Sequence, residues 1–200
     1  MTEGWTLINA QLRAFAPFVR DELRITTPDS ERIASAIARE FGELSHADIS
    51  GLVDDDVIPA GDRLDELKAF QSWMDVANDS QQHPGIVRAQ VITQNYVCFV
   101  YLGDALFKAL RKTMPSGSVT KKCTKFLADN PVRAFRNAVA HANWHYLPDF
   151  SGLEYWSRKG SDHTTPMSRF EVQQMELGFW QMLAGAVAYV AYTKIEEHNQ

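Results

Sequence analysis

Two long runs without a charge constrain this chain more than any other feature. Ala89 to Gly103 is uncharged throughout, and so is Leu177 to Thr193, a run of 17 residues. Both read as helices with most of their surface buried. The second run sits at the lower limit for a membrane span. Gln181, two glycines and several alanines within it favour a core helix of a globular protein. Such helices must be covered by others, and 200 residues with 45% apolar content supply a sizeable core. One domain spanning 1–200 is the expectation.

The remaining segments supply the cover. Trp5 to about Leu23 carries apolar residues at three-to-four spacing, with Pro17 kinking or dividing the helix. Thr27-Pro28 pairs a cap with a proline, opening a helix through Ile33, Ile37 and Phe41. Glu43 to Asp62, with Asp54-Asp55-Asp56, reads as a solvated acidic loop. It lacks the alternating ligands and central glycine of a calcium loop. Leu64, Leu67, Phe70 and Met74 mark a further helix, so residues 1–80 hold the N-terminal helices and the acidic loop.

Residues 84–142 hold the central helices. A long one runs from about Ile86 to Lys112. Ser118 can cap a basic helix with Lys121, Lys122 and Lys125, and Asn130-Pro131 repeats the cap-then-proline signal. Over 143–166 the pattern alternates through Trp144-His145-Tyr146 and Leu153 to Arg158, a β-hairpin with a longer loop. Ser168-Arg-Phe-Glu171 has the spacing of a capping box, which would open a last helix over 168–197.

The N-terminus lacks the basic stretch and apolar core of a secretory leader. Cys98 and Cys123 match no metal or redox spacing and read as reduced core thiols, so a cytoplasmic location is expected. The net charge of −5 argues against a protein that coats nucleic acid, yet charge is unevenly spread. Lys108 to Arg136 holds eight Lys/Arg against one acid, while Glu40 to Glu66 holds nine acids against one base. A polyanion fits the basic segment; a solvated lysine face is the plainer account.

That basic segment leads into Arg133-Ala-Phe-Arg136-Asn137-Ala-Val-Ala-His141. On a helix, Arg133, Arg136, Asn137, Ala140 and His141 form one stripe, and the other positions are apolar. The chemistry these side chains suit is metal-free RNA cleavage. His141 would take the 2′-hydroxyl proton, because imidazole titrates near neutral pH. Arg136 would hold the scissile phosphate and neutralise developing charge. Asn137 would orient the imidazole or donate to the phosphate. Arg133, Lys121, Lys122 and Lys125 would bind the RNA backbone without reading sequence. Arg136 and His141 lie about 7.5 Å apart along the axis and about 140° round it. A single helix places them awkwardly, whereas a second copy across a two-fold axis brings both pairs into one cleft.

At Arg136-Asn137-Ala-Val-Ala-His141 the chain resembles the HEPN superfamily, marked by Arg-x4–6-His with a polar residue after the arginine. The motif helix, hairpin and last helix look like plasmid- and defence-associated bacterial members. The resemblance implies an all-α, HEPN-like bundle of long antiparallel helices, of which the small β-hairpin insertion before the last helix is an elaboration. It implies a homodimer through the Arg136–His141 helix, with RNA as substrate and a possible cognate antitoxin. Active members are metal-independent endoribonucleases; others are inactive nucleic-acid- or nucleotide-binding or regulatory scaffolds. Many active members carry an additional acidic residue on a neighbouring helix. No residue here is identified by pattern as that acid, and Asp104 is a guess at it.

Other readings compete. A buried polar network of Arg136 and His141 that sets helix packing or dimer register fits the same residues equally. His141-x3-His145 has ligand spacing, but the glutamate of a zinc-protease motif is missing, so neither metal nor cofactor is expected. His46, His83, His163 and His198 fall in loops or termini and are expected to be solvated. Tyr146, Phe150, Tyr155 and Trp156 could stack bases, although a packed hairpin face is the commoner use.

Overall fold

A computed structural model describes residues 30–54, 91–149, 151–158 and 164–198. The readings for Trp5–Leu23, Thr27-Pro28, Asp55-Asp56, the helix around Leu64–Met74, and His83, Phe150 and His163 lie outside these residues.

Ile33, Ile37 and Phe41 recur every four residues, and helix α1 (Ser30–Gly42) buries all three. The segment expected to be an acidic loop contains a second helix, α2 (His46–Asp54). Its start is a reciprocal cap: the Asp48 N–H donates to Ser45 Oγ, and the Ser45 N–H and hydroxyl donate to the Asp48 carboxylate. Ile49 and Leu52, three apart, then face the core. The aspartates masked this signal in the sequence.

Residues 91–113 form one helical run, α3. Within it Tyr96–Tyr101 and Gly103–Phe107 are wound as π-helix, before Lys108–Thr113 returns to α-helix. The uncharged stretch does enter the core, through Phe99, Val100 and Leu102. Helix α4 (Val119–Ala128) is capped by Ser118, whose Oγ accepts the Lys121 N–H at 3.1 Å, as expected. A second cap comes from α1. The Glu40 carboxylate accepts the Val119 N–H at 2.5 Å, and the Thr120 N–H and hydroxyl at 2.8 and 2.6 Å. Helix α5 (Val132–Ala140) follows, with Pro131 rather than Asn130 at its cap position and no side-chain cap. The Asp129 carbonyl instead accepts the Arg133 N–H at 2.9 Å.

The chain then forms a three-stranded antiparallel sheet, where a hairpin was expected. Its strands are β1 (Trp144–Tyr146), β2 (Gly152–Ser157) and β3 (Ser168–Gln173), in spatial order β1-β2-β3. The supposed capping box is thus strand, and the last helix, α6, begins later, at Gln174–His198. Ser168-Arg-Phe-Glu-Val-Gln alternates as well as it caps. Pairing puts Phe170 opposite Tyr155, with rings stacked at 5.3 Å, and buries Val172. Arg169 also reaches Glu154 at 2.8 Å across the strands. Gly152 is required here, since a Cβ on it would sit 2.2 Å from the Val172 carbonyl oxygen.

Helix α6 carries the second uncharged run and buries Leu177, Phe179, Trp180, Leu183 and Val187 among others. Helices α1 and α4 and the sheet pack on it. Among the described residues no helix is long and apolar enough to cross a membrane. The architecture is mostly helical, with the small sheet set before the final helix.

Candidate functional site

Helix α5 is held by Phe135. Its ring lies 5.2 Å from Phe99 of α3, 5.1 Å from Tyr155 of β2 and 5.8 Å from Trp180 of α6. Val132, Ala134, Ala138 and Val139 are buried on the same side. Amphipathic packing therefore turns the remaining stripe outward. Arg133, Ala140 and His141 are exposed, and Arg136 and Asn137 are half-buried. The motif is a surface feature of this chain, not a sealed core network.

Arg136 is held at both ends of its guanidinium. Nη2 donates to Asp104 Oδ2 at 2.5 Å, and Nη1 donates to Asn137 Oδ1 at 3.2 Å. Asp104 lies in the second π-helical segment of α3. A π-wound turn shifts the angular position of the residues that follow it, and such turns are frequent at functional sites. The guess at Asp104 thus names the residue that pairs with Arg136. The Arg136 side chain keeps 34% exposure and Asp104 65%, so the pair is open to water and leaves guanidinium surface for an anion.

His141 ends the helix. Its backbone (φ −111°, ψ 9°) departs from helical geometry, and its N–H is shared between the Asn137 and Ala138 carbonyls. Ala142 then takes the left-handed conformation, φ +55°. The Asn143 N–H donates back to the Ala138 carbonyl at 2.8 Å and the Ala142 N–H to Val139 at 3.2 Å, a Schellman closure with alanine where glycine is usual. Among the described residues the His141 ring has no hydrogen-bond partner. Asn137 turns its oxygen to Arg136, so it does not orient the imidazole in this arrangement. Sequence reading could not see the break at 141, because it depends on an alanine accepting a conformation that glycine normally fills.

The lysines separate into different roles. Lys121 Nζ donates to the Met114 carbonyl at 3.1 Å, pinning the turn before α4. Lys122 is half-buried, while Lys125 is exposed. Lys125 and Arg133 are thus the more accessible of the expected backbone-binding cations.

His145 lies in β1, apart from the helical spacing that suggested a ligand pair. Its Nε2 meets Glu154 Oε2 at 2.9 Å. Arg169 grips the other Glu154 oxygen and lies over the Trp156 ring at 5.5 Å. Glu154 is consequently held below the usual carboxylate range, mainly by Arg169. With His145 at 5.6 Å as well, Trp156 is flanked within its own sheet. Tyr155 is buried, which pushes its hydroxyl up to about 12. Neither aromatic is presented as a bare stacking platform.

His46 is exposed and His198 half-buried, and their ring centroids lie 4.0 Å apart, joining α2 to the end of α6. Among the described residues no three His, Cys, Asp or Glu side chains gather as a metal site. Burial pushes the Cys98 thiol up to about 12 and raises that of Cys123 further, so neither is a nucleophile at neutral pH. Comparison with family models, curated proteins and solved structures finds no match to this chain.

Proposed function

We propose that this chain is a HEPN-like, metal-independent endoribonuclease of a bacterial toxin–antitoxin or phage-defence system, acting at a composite homodimer site. One observation carries the reading. The Arg136 guanidinium is held at the surface by Asp104 of a neighbouring helix, with an exposed His141 at the end of the motif helix. In this reading Arg136 binds the scissile phosphate and offsets charge on it in the transition state. His141 takes the 2′-hydroxyl proton, the 2′-oxygen bonds to phosphorus, and the P–O5′ bond breaks as the departing 5′-oxygen takes a proton from water. Products carry 2′,3′-cyclic phosphate and 5′-hydroxyl ends. Asp104 is a positioning residue, since it acts through the guanidinium. Arg133 and Lys125 hold the RNA backbone.

A second reading has an observation of its own. Asp104 and Asn137 already engage both terminal guanidinium nitrogens, as in a structural network, which suits an inactive dimeric binding or regulatory scaffold. The deciding experiment incubates wild type, Arg136→Ala and His141→Ala with mixed RNA in EDTA and analyses the product ends. Cleavage by wild type alone, with cyclic phosphate ends, supports the enzyme. Equal cleavage by all three, or none by any, refutes it.

A further inference from the structure

Strand β3 is an edge of the sheet. β2 pairs with it on one side and, among the described residues, no strand pairs on the other. The Gln174 N–H donates to the Ser151 carbonyl at 2.8 Å, which fixes the direction of the backbone groups along the ladder. Hydrogen-bonded pairs alternate in an antiparallel ladder, so in the β2–β3 register Phe170 and Val172 bond to β2. The N–H and C=O groups of Arg169, Glu171 and Gln173 therefore point to the open side, and all three residues are exposed. A row of backbone groups of this kind is a template for another strand.

The charges along this edge are unbalanced within one chain. Glu171 lies directly opposite Glu154 of β2, and like charges so placed destabilise a sheet. His145 and Arg169 both turn to Glu154, and among the described residues Glu171 has no ion-pair partner. We propose that β3 pairs antiparallel with β3 of a second copy, about a two-fold axis at Phe170, joining two sheets into one. In that register Arg169 stands opposite the partner's Glu171, and the two-fold repeats the pair in reverse. Both residues have outward-facing backbone groups, so the ladder bonds and the two ion pairs form in one geometry. Centring the axis on Arg169 or on Glu171 would instead set like charges face to face. This self-complementarity is what selects a copy of the same strand as the occupant. The contact uses none of the motif residues on α5 and does not depend on the nuclease reading.

The test follows the mass of the full chain by sedimentation over a concentration series, with urea melts at the lowest concentration. Wild type should gain mass with concentration. Glu171→Arg is the informative variant, because the new arginine faces Glu154 in its own chain but the partner's Arg169 across the axis. It should raise the urea midpoint and weaken self-association by about ten-fold. Arg169→Glu/Glu171→Arg exchanges the two signs across the axis and should recover the association. A wild type no heavier than Glu171→Arg at every concentration overturns the proposal, as does a double variant that fails to recover. A fall in the Glu171→Arg midpoint overturns it too, because the edge is then covered by the chain's own residues. Association weakened by Arg136→Ala but not by Glu171→Arg assigns the contact to the motif face and likewise overturns it.

Discussion

Glu40 offers the sharpest test of how this fold holds its basic helix. Its carboxylate accepts three hydrogen bonds at the start of α4, from a residue 79 positions earlier than Val119. Charge-assisted bonds contribute about 1.5–3 kcal/mol each, but shared bonds on one group do not add in full. In Glu40→Ala, water can reach half-buried Val119, whereas Thr120 is fully buried and loses acceptors for both its N–H and its hydroxyl. Orphaning buried donors costs about 1–3 kcal/mol, and losing a carboxylate at a helix start about 0.5–1 more. The expected loss is about 3 kcal/mol. With a urea slope of about 2 kcal/mol/M, the midpoint falls by about 1.5 M at unchanged slope. Glu40→Gln keeps one acceptor and should lose about half as much. In the Glu40→Ala/Thr120→Val pair the losses should fall short of their sum by about 1 kcal/mol, since both remove the same bond. A Glu40→Ala midpoint equivalent to less than about 0.5 kcal/mol from wild type would refute the reasoning.

Three further outcomes are expected. Asp104→Asn should change stability by less than about 1 kcal/mol, because the ion pair with Arg136 is open to solvent. Its RNA cleavage should nonetheless fall at least ten-fold through kcat, and equal kinetics would remove Asp104 from the site. Ala142→Gly should raise stability by about 0.5–1 kcal/mol in urea melts by relieving the left-handed backbone, and a loss would mean that turn is not strained. The lowered Glu154 titration means its contribution is present above the unfolded carboxylate range and is lost as pH falls through the folded one. The stability gap between wild type and Glu154→Gln should therefore close on acidification, and a gap constant with pH would contradict the pairing with Arg169.

The sequence by itself determined what depends on residues near one another along the chain. Ile33, Ile37 and Phe41 specified α1 because side chains four apart share a helix face, and the same periodicity divides α5 into a buried side and a polar stripe. Ser118 announced the start of α4, because an N-cap is a bond over three residues. The uncharged run of α6 was legible as core, since no polar face was left to offer water.

Tertiary structure alone decided the rest. Ser168–Gln173 meets the local rules for both a capping box and a strand, and the strand prevailed because β2 presents Tyr155, Glu154 and open backbone groups to pair with. In α2, a cap and two apolar residues outweighed an acidic composition once α6 and α3 offered them a surface. The link between Asp104 and Arg136 spans 32 residues and depends on π-wound turns that no local pattern encodes. Local periodicity sets which face a residue occupies; which face it meets is decided only by the burial of all the others.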